Sequence, residues 1–123
     1  MKIPRKLIVL FFVGWMVFVT VCSLLPNDDV VVLAERLVPW DKLDKVGHFI
    51  AYFFSALLFF FSFRTRFKWA DIYAVLFATI YGAIMEVGQL FVPGRVGCIQ
   101  DVAIDLSGAV FFFALYRILW GKI

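Results

Sequence analysis

The sequence predicts an all-α protein, an integral membrane four-helix bundle. Its 123 residues are 64% hydrophobic and include 16 phenylalanines, and the mean hydropathy is +0.97. That is far above the apolar share of a soluble domain. Four apolar runs each approach the roughly 20 residues that a helix needs to cross a bilayer. The length fits a single membrane domain over residues 1–123, which excludes a soluble enzyme with a large core.

Turn signals and hydrophobic runs set the predicted helix boundaries. Pro26 ends the first helix, and Pro93 ends the third. A compact basic turn over residues 64–68 joins the second helix to the third. Residues 28–38 are either a short amphipathic helix in the membrane interface or a simple connector. The predicted transmembrane helices span residues 7–25, 43–63, 70–92 and 100–120.

The basic residues predict the orientation of the bundle. With the N-terminus inside, the inner ends hold eight of the twelve: Lys2, Arg5, Lys6, Arg64, Arg66, Lys68, Arg117 and Lys122. The outer side holds the other four: Arg36, Lys42, Lys45 and Arg95. This bias favours an N-in, C-in topology. Orientation also explains the net charge of +3 better than nucleic-acid binding does, so we expect no nucleic-acid partner.

Polar residues collect at the predicted outer ends of three helices. Ionisable side chains are costly inside a membrane, and they usually face a bundle interior or a wet cavity and mark function. We therefore predict a polar site that faces the extracytoplasmic side, with His48, Glu86, Arg95 and Asp101 converging. The candidate residues are Asp44, Lys45, His48, Tyr52, Glu86, Gln89, Arg95, Asp101 and Asp105.

His48 and Glu86 are the candidate acid–base residues. Asp44, His48 and Tyr52 are spaced i, i+4, i+8 and share one helix face, so Asp44 could orient the imidazole ring. A desolvated glutamate could act as a general acid or base. The alternative is structural: His48 is a packed hydrogen-bond donor, and Glu86 is neutralised by Arg95, Lys45 or His48 and only ties helices together.

Arg95, which directly follows Pro93-Gly94, is the strongest candidate for binding an anion. Guanidinium binds phosphate or carboxylate in bidentate fashion, and Lys45 could join it. The alternative is contact with ordinary phospholipid headgroups. The carboxylates of Glu86, Asp101 and Asp105 could instead hold a divalent cation together with His48. Alternatively, Asp101 could simply cap the fourth helix.

The two cysteines, Cys22 and Cys98, match no metal-binding spacing. Both are predicted to lie toward the outer side of the membrane, where a disulfide is chemically possible. The sequence favours the alternative, in which Cys22 and Cys98 are two thiols in an apolar environment and form no disulfide.

At the polar residues the chain resembles the VanZ-like family of small bacterial membrane proteins, over about residues 44–108. The matching pieces are Asp44-Lys45-x-x-His48-Phe49 with Tyr52, then Glu86-x-x-Gln89, then Pro93-Gly94-Arg95 with Asp101, and finally Gly108. The family tends to have Asn where this chain has Asp105. The resemblance implies the bacterial cytoplasmic membrane, chemistry at the outer leaflet and a link to resistance against the glycopeptide teicoplanin.

Three classes of function remain open at this point. The chain could bind an anionic lipid or cell-envelope amphiphile, act as an enzyme on a lipid-linked phosphate or sugar, or serve as a structural or partner-binding membrane protein. The sequence contains no recognised nucleophile motif or nucleotide-binding loop, which disfavours the enzyme. Four helices leave little room for a transport path in one protomer, so transport would require a homo-oligomer.

Overall fold

The computed structural model describes residues 3–24, 40–92 and 99–120, and the side chains of residues 40–44 are not among what it describes. These residues form four helices and, within the described ranges, no strand. Every helix contains a span that is long and apolar enough to cross a membrane, which confirms the all-α, membrane-spanning fold class. The helices are α1 (Arg5–Leu24), α2 (Trp40–Phe63), α3 (Ala70–Gln89) and α4 (Ile99–Trp120).

Helices α2, α3 and α4 pack against one another and form the centre of the bundle. The α2–α4 interface is the most extensive of the three. Helix α1 packs on α2 and α3 and, within the described residues, makes no contact with α4. The Trp15 side chain ties α1 to α2, because its Nε1 donates to the Ala51 carbonyl oxygen at 3.1 Å. The polar residues of α2, α3 and α4 therefore meet in a three-helix interior that α1 covers from outside.

Small residues allow the central helices to approach closely. Ala56, Ala74, Ala78 and Ala109 are completely buried, as expected where helices associate in a membrane without a hydrophobic driving force. Gly108 is the tightest point, since a Cβ there would collide with the backbone carbonyl oxygen of Phe49 on α2. The sequence thus places small side chains where α2, α3 and α4 pack together, with Gly108 at the crossing of α2 and α4.

Contacts at the two ends of the bundle show its up-and-down arrangement. At one end, Arg5 Nε donates to the Ser62 carbonyl oxygen at 2.8 Å, and Arg117 pairs with Asp71 at 2.6 Å. At the opposite end, Gln89 Nε2 donates to the Ser23 carbonyl oxygen at 3.0 Å. The start of α1 and the end of α4 therefore lie at the same end, as expected for the four helices that the described residues form.

Two helix boundaries differ from the sequence prediction by several residues. Helix α3 ends at Gln89 rather than at residue 92, and the next three N–H groups donate to carbonyls only three residues back. This 3₁₀-type tightening is common at helix ends, and Pro93 disfavours helical geometry at the residue before it. Helix α2 begins at Trp40 rather than at residue 43, directly after Pro39, a residue type suited to helix starts. The predicted interfacial segment 28–38 lies outside the described residues.

Candidate functional site

His48 of α2 and Asp105 of α4 form the centre of a buried polar cluster. The His48 Nδ1 donates to Asp105 Oδ1 at 2.8 Å, and Asp105 is completely buried. Gly82 of α3 makes room for this carboxylate, because a Cβ at residue 82 would lie only 2.6 Å from Asp105 Oδ2. The pair therefore depends on all three central helices.

The other ring nitrogen of His48 points toward two further carboxylates. The His48 Nε2 lies 4.0 Å from Glu86 Oε1 on α3 and 3.8 Å from Asp101 Oδ2 on α4. Both separations exceed hydrogen-bonding distance. Glu86 is 6% exposed and Asp101 is 4% exposed, so these charges are held inside the bundle. We call His48, Glu86, Asp101 and Asp105 the His48 cluster.

Lys45 closes one side of the cluster. Lys45 lies one helical turn before His48 on α2, and its Nζ makes an ion pair with Asp101 Oδ1. The Lys45 side chain is 38% exposed, whereas the members of the cluster are buried or nearly so. Lys45 therefore marks the place where the cluster opens to the surroundings of the bundle.

Tyr52 and Gln89 extend the polar region in different ways. The Tyr52 ring stacks beside the His48 ring, with centroids 6.4 Å apart and planes 9° from parallel. Tyr52 is 1% exposed. The Gln89 amide nitrogen instead bonds the backbone of Ser23 at the end of α1. Gln89 thus fastens the outer helix to α3, while Tyr52 lines the interior next to the imidazole.

The structure therefore brings together five predicted site residues from three helices, namely Lys45, His48, Glu86, Asp101 and Asp105. Arg95, the Asp44 side chain and Cys98 lie outside what the structure describes. The predicted approach of Arg95 therefore stays a prediction, and so does the preference for two thiols over a Cys22–Cys98 disulfide. Asp105 on α4 accepts a hydrogen bond from His48 Nδ1, and the orientation of the ring by Asp44 stays a prediction. Lys45, which was one candidate to neutralise Glu86, pairs with Asp101.

A family model described as VanZ/LLP1 matches residues 6–120. The chain belongs to the VanZ-like family. The match is wider than the span of about 44–108 that carried the resemblance, and it includes α1. Comparison with curated proteins gave no significant match, and comparison with solved structures gave none. Family and structure together describe a multi-pass membrane protein with four apolar helices.

Sequence reasoning on this VanZ-like chain missed one buried carboxylate. Asp71 is 6% exposed at the start of α3 and pairs with Arg117 of α4 at the end of the bundle far from His48. The sequence does contain a signal for this ion pair, because Asp71 is an acidic residue close to the basic turn 64–68. This ion pair balances its own charge and provides a natural control for the His48 cluster.

The arrangement in the VanZ-like protein offers three chemical capabilities. The Glu86, Asp101 and Asp105 carboxylates can accept hydrogen bonds from hydroxyl or ammonium groups, and Lys45 can donate to an anion. An imidazole held at Nδ1 by a carboxylate presents its Nε2 for proton transfer or for metal binding. A site with these groups is suited to a polar molecule that carries both hydroxyl groups and a negative charge.

Proposed function

We propose that this VanZ-like protein binds the polar head of an anionic lipid or cell-envelope amphiphile at the His48 cluster. One observation carries the proposal: four ionisable side chains from three helices gather inside an otherwise apolar bundle. Buried ionisable groups in membrane helices are rare and generally functional. We infer from the distribution of basic residues that the cluster faces the outer leaflet.

Magnitudes favour a functional reason for the cluster over a purely structural one. Interhelical polar contacts in membranes stabilise by about 0.6–2 kcal/mol each. Placing one charged residue at the centre of a membrane helix costs about 2.5–3.5 kcal/mol on insertion scales. Three carboxylates that served only to hold the helices together would therefore cost more free energy on insertion than their contacts recover. Apolar packing would hold the bundle more effectively.

The groups at the opening suit an anionic headgroup. Lys45 is partly exposed beside Asp101 and can reach a phosphate or carboxylate that arrives from outside the bundle. Arg95, which follows α3 in the sequence, would add bidentate binding. The carboxylates behind Lys45 would then recognise hydroxyl or amine groups of the same head. The division of charge between opening and interior matches a ligand that is both anionic and rich in hydrogen-bond donors.

An apolar groove between α1 and α3 suits the hydrocarbon part of such a ligand. Its volume is about 380 Å³, and Met16, Thr20, Phe77 and Tyr81 are among its lining residues. Tyr81 lies five residues before Glu86 on α3, so the groove and the cluster share one helix. We propose that the tail of the bound amphiphile lies in this groove.

Native mass spectrometry of the gently purified protein tests the proposal. We expect the wild type to carry a specific polar or isoprenoid lipid. Glu86→Gln and Arg95→Ala should lose most of it, because each removes a charged group from the binding region. Asp71→Asn is the matched control, since it changes a buried carboxylate to an amide at the opposite end of the bundle. The same bulk phospholipid in equal amounts in all four samples would contradict the proposal.

The hydrogen bond between Asp105 and His48 favours acid–base catalysis as a second candidate function. A carboxylate at Nδ1 orients the ring, and Nε2 could then exchange a proton with a lipid-linked phosphate or sugar. Incubating the purified protein with the lipid that it retains would test this proposal. Conversion of the lipid by the wild type but not by His48→Gln would support an enzyme. Lipid that stays unchanged would contradict catalysis and support binding only.

A part in teicoplanin resistance is proposed on family membership alone. An envelope amphiphile bound at the His48 cluster would connect this protein to a glycopeptide that acts on the cell envelope.

A further inference from the structure

Three side chains of the His48 cluster are spaced as ligands of one metal ion. His48, Glu86 and Asp105 each offer a ligand atom, and these atoms all lie within 4.8 Å of one another. In a tetrahedral or octahedral sphere with metal–ligand bonds of about 2.1 Å, neighbouring ligand atoms lie about 3–3.4 Å apart. Side-chain movements of about an ångström, with the His48–Asp105 hydrogen bond replaced by bonds to the ion, would therefore bring the three into one coordination sphere. We propose that His48, Glu86 and Asp105 bind a divalent transition-metal cation.

Burial and position support the three residues as ligands. Glu86 and Asp105 are buried, and the His48 side chain is only 11% exposed. The ligands come from three different helices, α2, α3 and α4, so the bundle itself fixes their positions. A site on rigid elements holds its ligands more precisely than one built from loops.

The charges of the group match a divalent ion. Glu86 and Asp105 supply two negative charges, and a neutral imidazole supplies a nitrogen. Grouping two carboxylates in a low-dielectric interior is unfavourable for both, and a divalent cation between them converts that repulsion into attraction. Lys45 remains paired with Asp101 at the edge of the cluster, which leaves the ion-binding residues at the interior side.

The donor set selects among metals. Imidazole nitrogen favours transition metals, whereas Mg²⁺ and Ca²⁺ prefer sites made entirely of oxygen ligands. One nitrogen and two carboxylates suit Mn²⁺ or Zn²⁺. We therefore expect Mn²⁺ and Zn²⁺ to compete for the same site and Mg²⁺ to bind more weakly.

The inference goes beyond the binding of an amphiphile, because the protein side chains alone hold the ion. The experiment is titration of metal-free, delipidated protein with Mn²⁺, with free Mn²⁺ measured by electron paramagnetic resonance. We expect one Mn²⁺ per chain, displaced by stoichiometric Zn²⁺. His48→Gln, Glu86→Gln and Asp105→Asn should each weaken binding about tenfold or more, and Asp71→Asn should leave it unchanged.

Two results would overturn the metal site. One is no stoichiometric Mn²⁺ or Zn²⁺ binding by the folded wild type, a result that depends on no variant. The other is equal binding by the wild type and by every variant that retains its helical content in circular dichroism. If the wild type binds no metal but still retains its lipid in native mass spectrometry, the metal site is rejected and the proposed function stands.

Discussion

At the scale of single residues, Asp105 is the most deeply buried carboxylate in the described part of the chain. It is 0% exposed, and its Oδ1 accepts a hydrogen bond from His48 Nδ1 with an N···O distance of 2.8 Å. A buried donor that loses its acceptor costs about 1–3 kcal/mol. The identity of the side chain at position 105 should therefore affect stability through hydrogen bonding as well as through charge.

Replacing Asp105 in two ways separates the hydrogen bond from the charge. Asp105→Ala leaves the His48 donor without this acceptor, and we expect it to lower the free energy of unfolding by about 1–3 kcal/mol. Asp105→Asn keeps an acceptor oxygen of the same shape, so its stability should stay close to that of the wild type. Thermal unfolding in detergent, followed by circular dichroism, measures both. Equal destabilisation by Ala and Asn would show that the hydrogen bond is not what matters.

The choice of polar residues could be read from the sequence, but their pairing could not. His48, Glu86, Asp101 and Asp105 stand out because each interrupts an apolar run. Helical spacing suggested Asp44 as the partner of His48, since i, i+4 neighbours share a face. The structure adds a contact that this spacing does not predict, the hydrogen bond from His48 Nδ1 to Asp105 on another helix. Such a contact depends on how α2 and α4 are rotated and how closely they approach, and no local spacing encodes that.

At the scale of elements, the crossing of α2 and α4 positions the cluster. Gly108 lies one turn after Asp105 on α4 and faces the backbone of Phe49, the residue after His48. The Phe53 nitrogen would be 3.1 Å from a Cβ at the same position. The close approach at Gly108 therefore brings His48 and Asp105 within reach of each other.

We expect Gly108→Ala to destabilise the protein by about 1–3 kcal/mol, the usual cost of overpacking. The new methyl group would meet the Phe49 carbonyl oxygen, and only backbone separation relieves that contact. Gly47→Ala is the control, because a Cβ at Gly47 has nothing within 4 Å. Thermal unfolding of the two variants in one detergent provides the comparison. A Gly108→Ala protein as stable as Gly47→Ala would contradict the close α2–α4 crossing.

Helix existence was predictable from the four apolar runs, and helix ends were predictable only in part. The α4 start at Ile99 differs from the predicted residue 100 by one position. The α3 end differs by three, because Leu90, Phe91 and Val92 stay in tight turns rather than in α-helix. Apolar character continues through these turns, so hydropathy alone does not distinguish them from the helix.

At the scale of the whole molecule, polarity is divided between the two ends of the bundle. One end holds the Asp71–Arg117 pair and the basic turn, and the other holds the His48 cluster with Lys45. Both the start of α1 and the end of α4 belong to the basic end. The excess of basic residues there predicts that this end faces the cytoplasm.

Reporter fusions check this orientation. We expect green fluorescent protein fused to the C-terminus to fluoresce, because it folds in the cytoplasm, and alkaline phosphatase at the same place to be inactive. Both reporters at a site in the loop between α3 and α4 should behave in the opposite way. An active phosphatase at the C-terminus would place the His48 cluster on the cytoplasmic side and contradict the proposed outer-leaflet ligand.

The central claim is that the His48 cluster binds a membrane amphiphile, and the most direct measurement is native mass spectrometry of Glu86→Gln against Asp71→Asn. Both variants change one buried carboxylate to an amide, at opposite ends of the same bundle. We expect the specific lipid carried by the wild type to disappear from Glu86→Gln and to persist in Asp71→Asn. The same lipid occupancy in both variants would contradict the claim and would make the cluster a feature of folding alone.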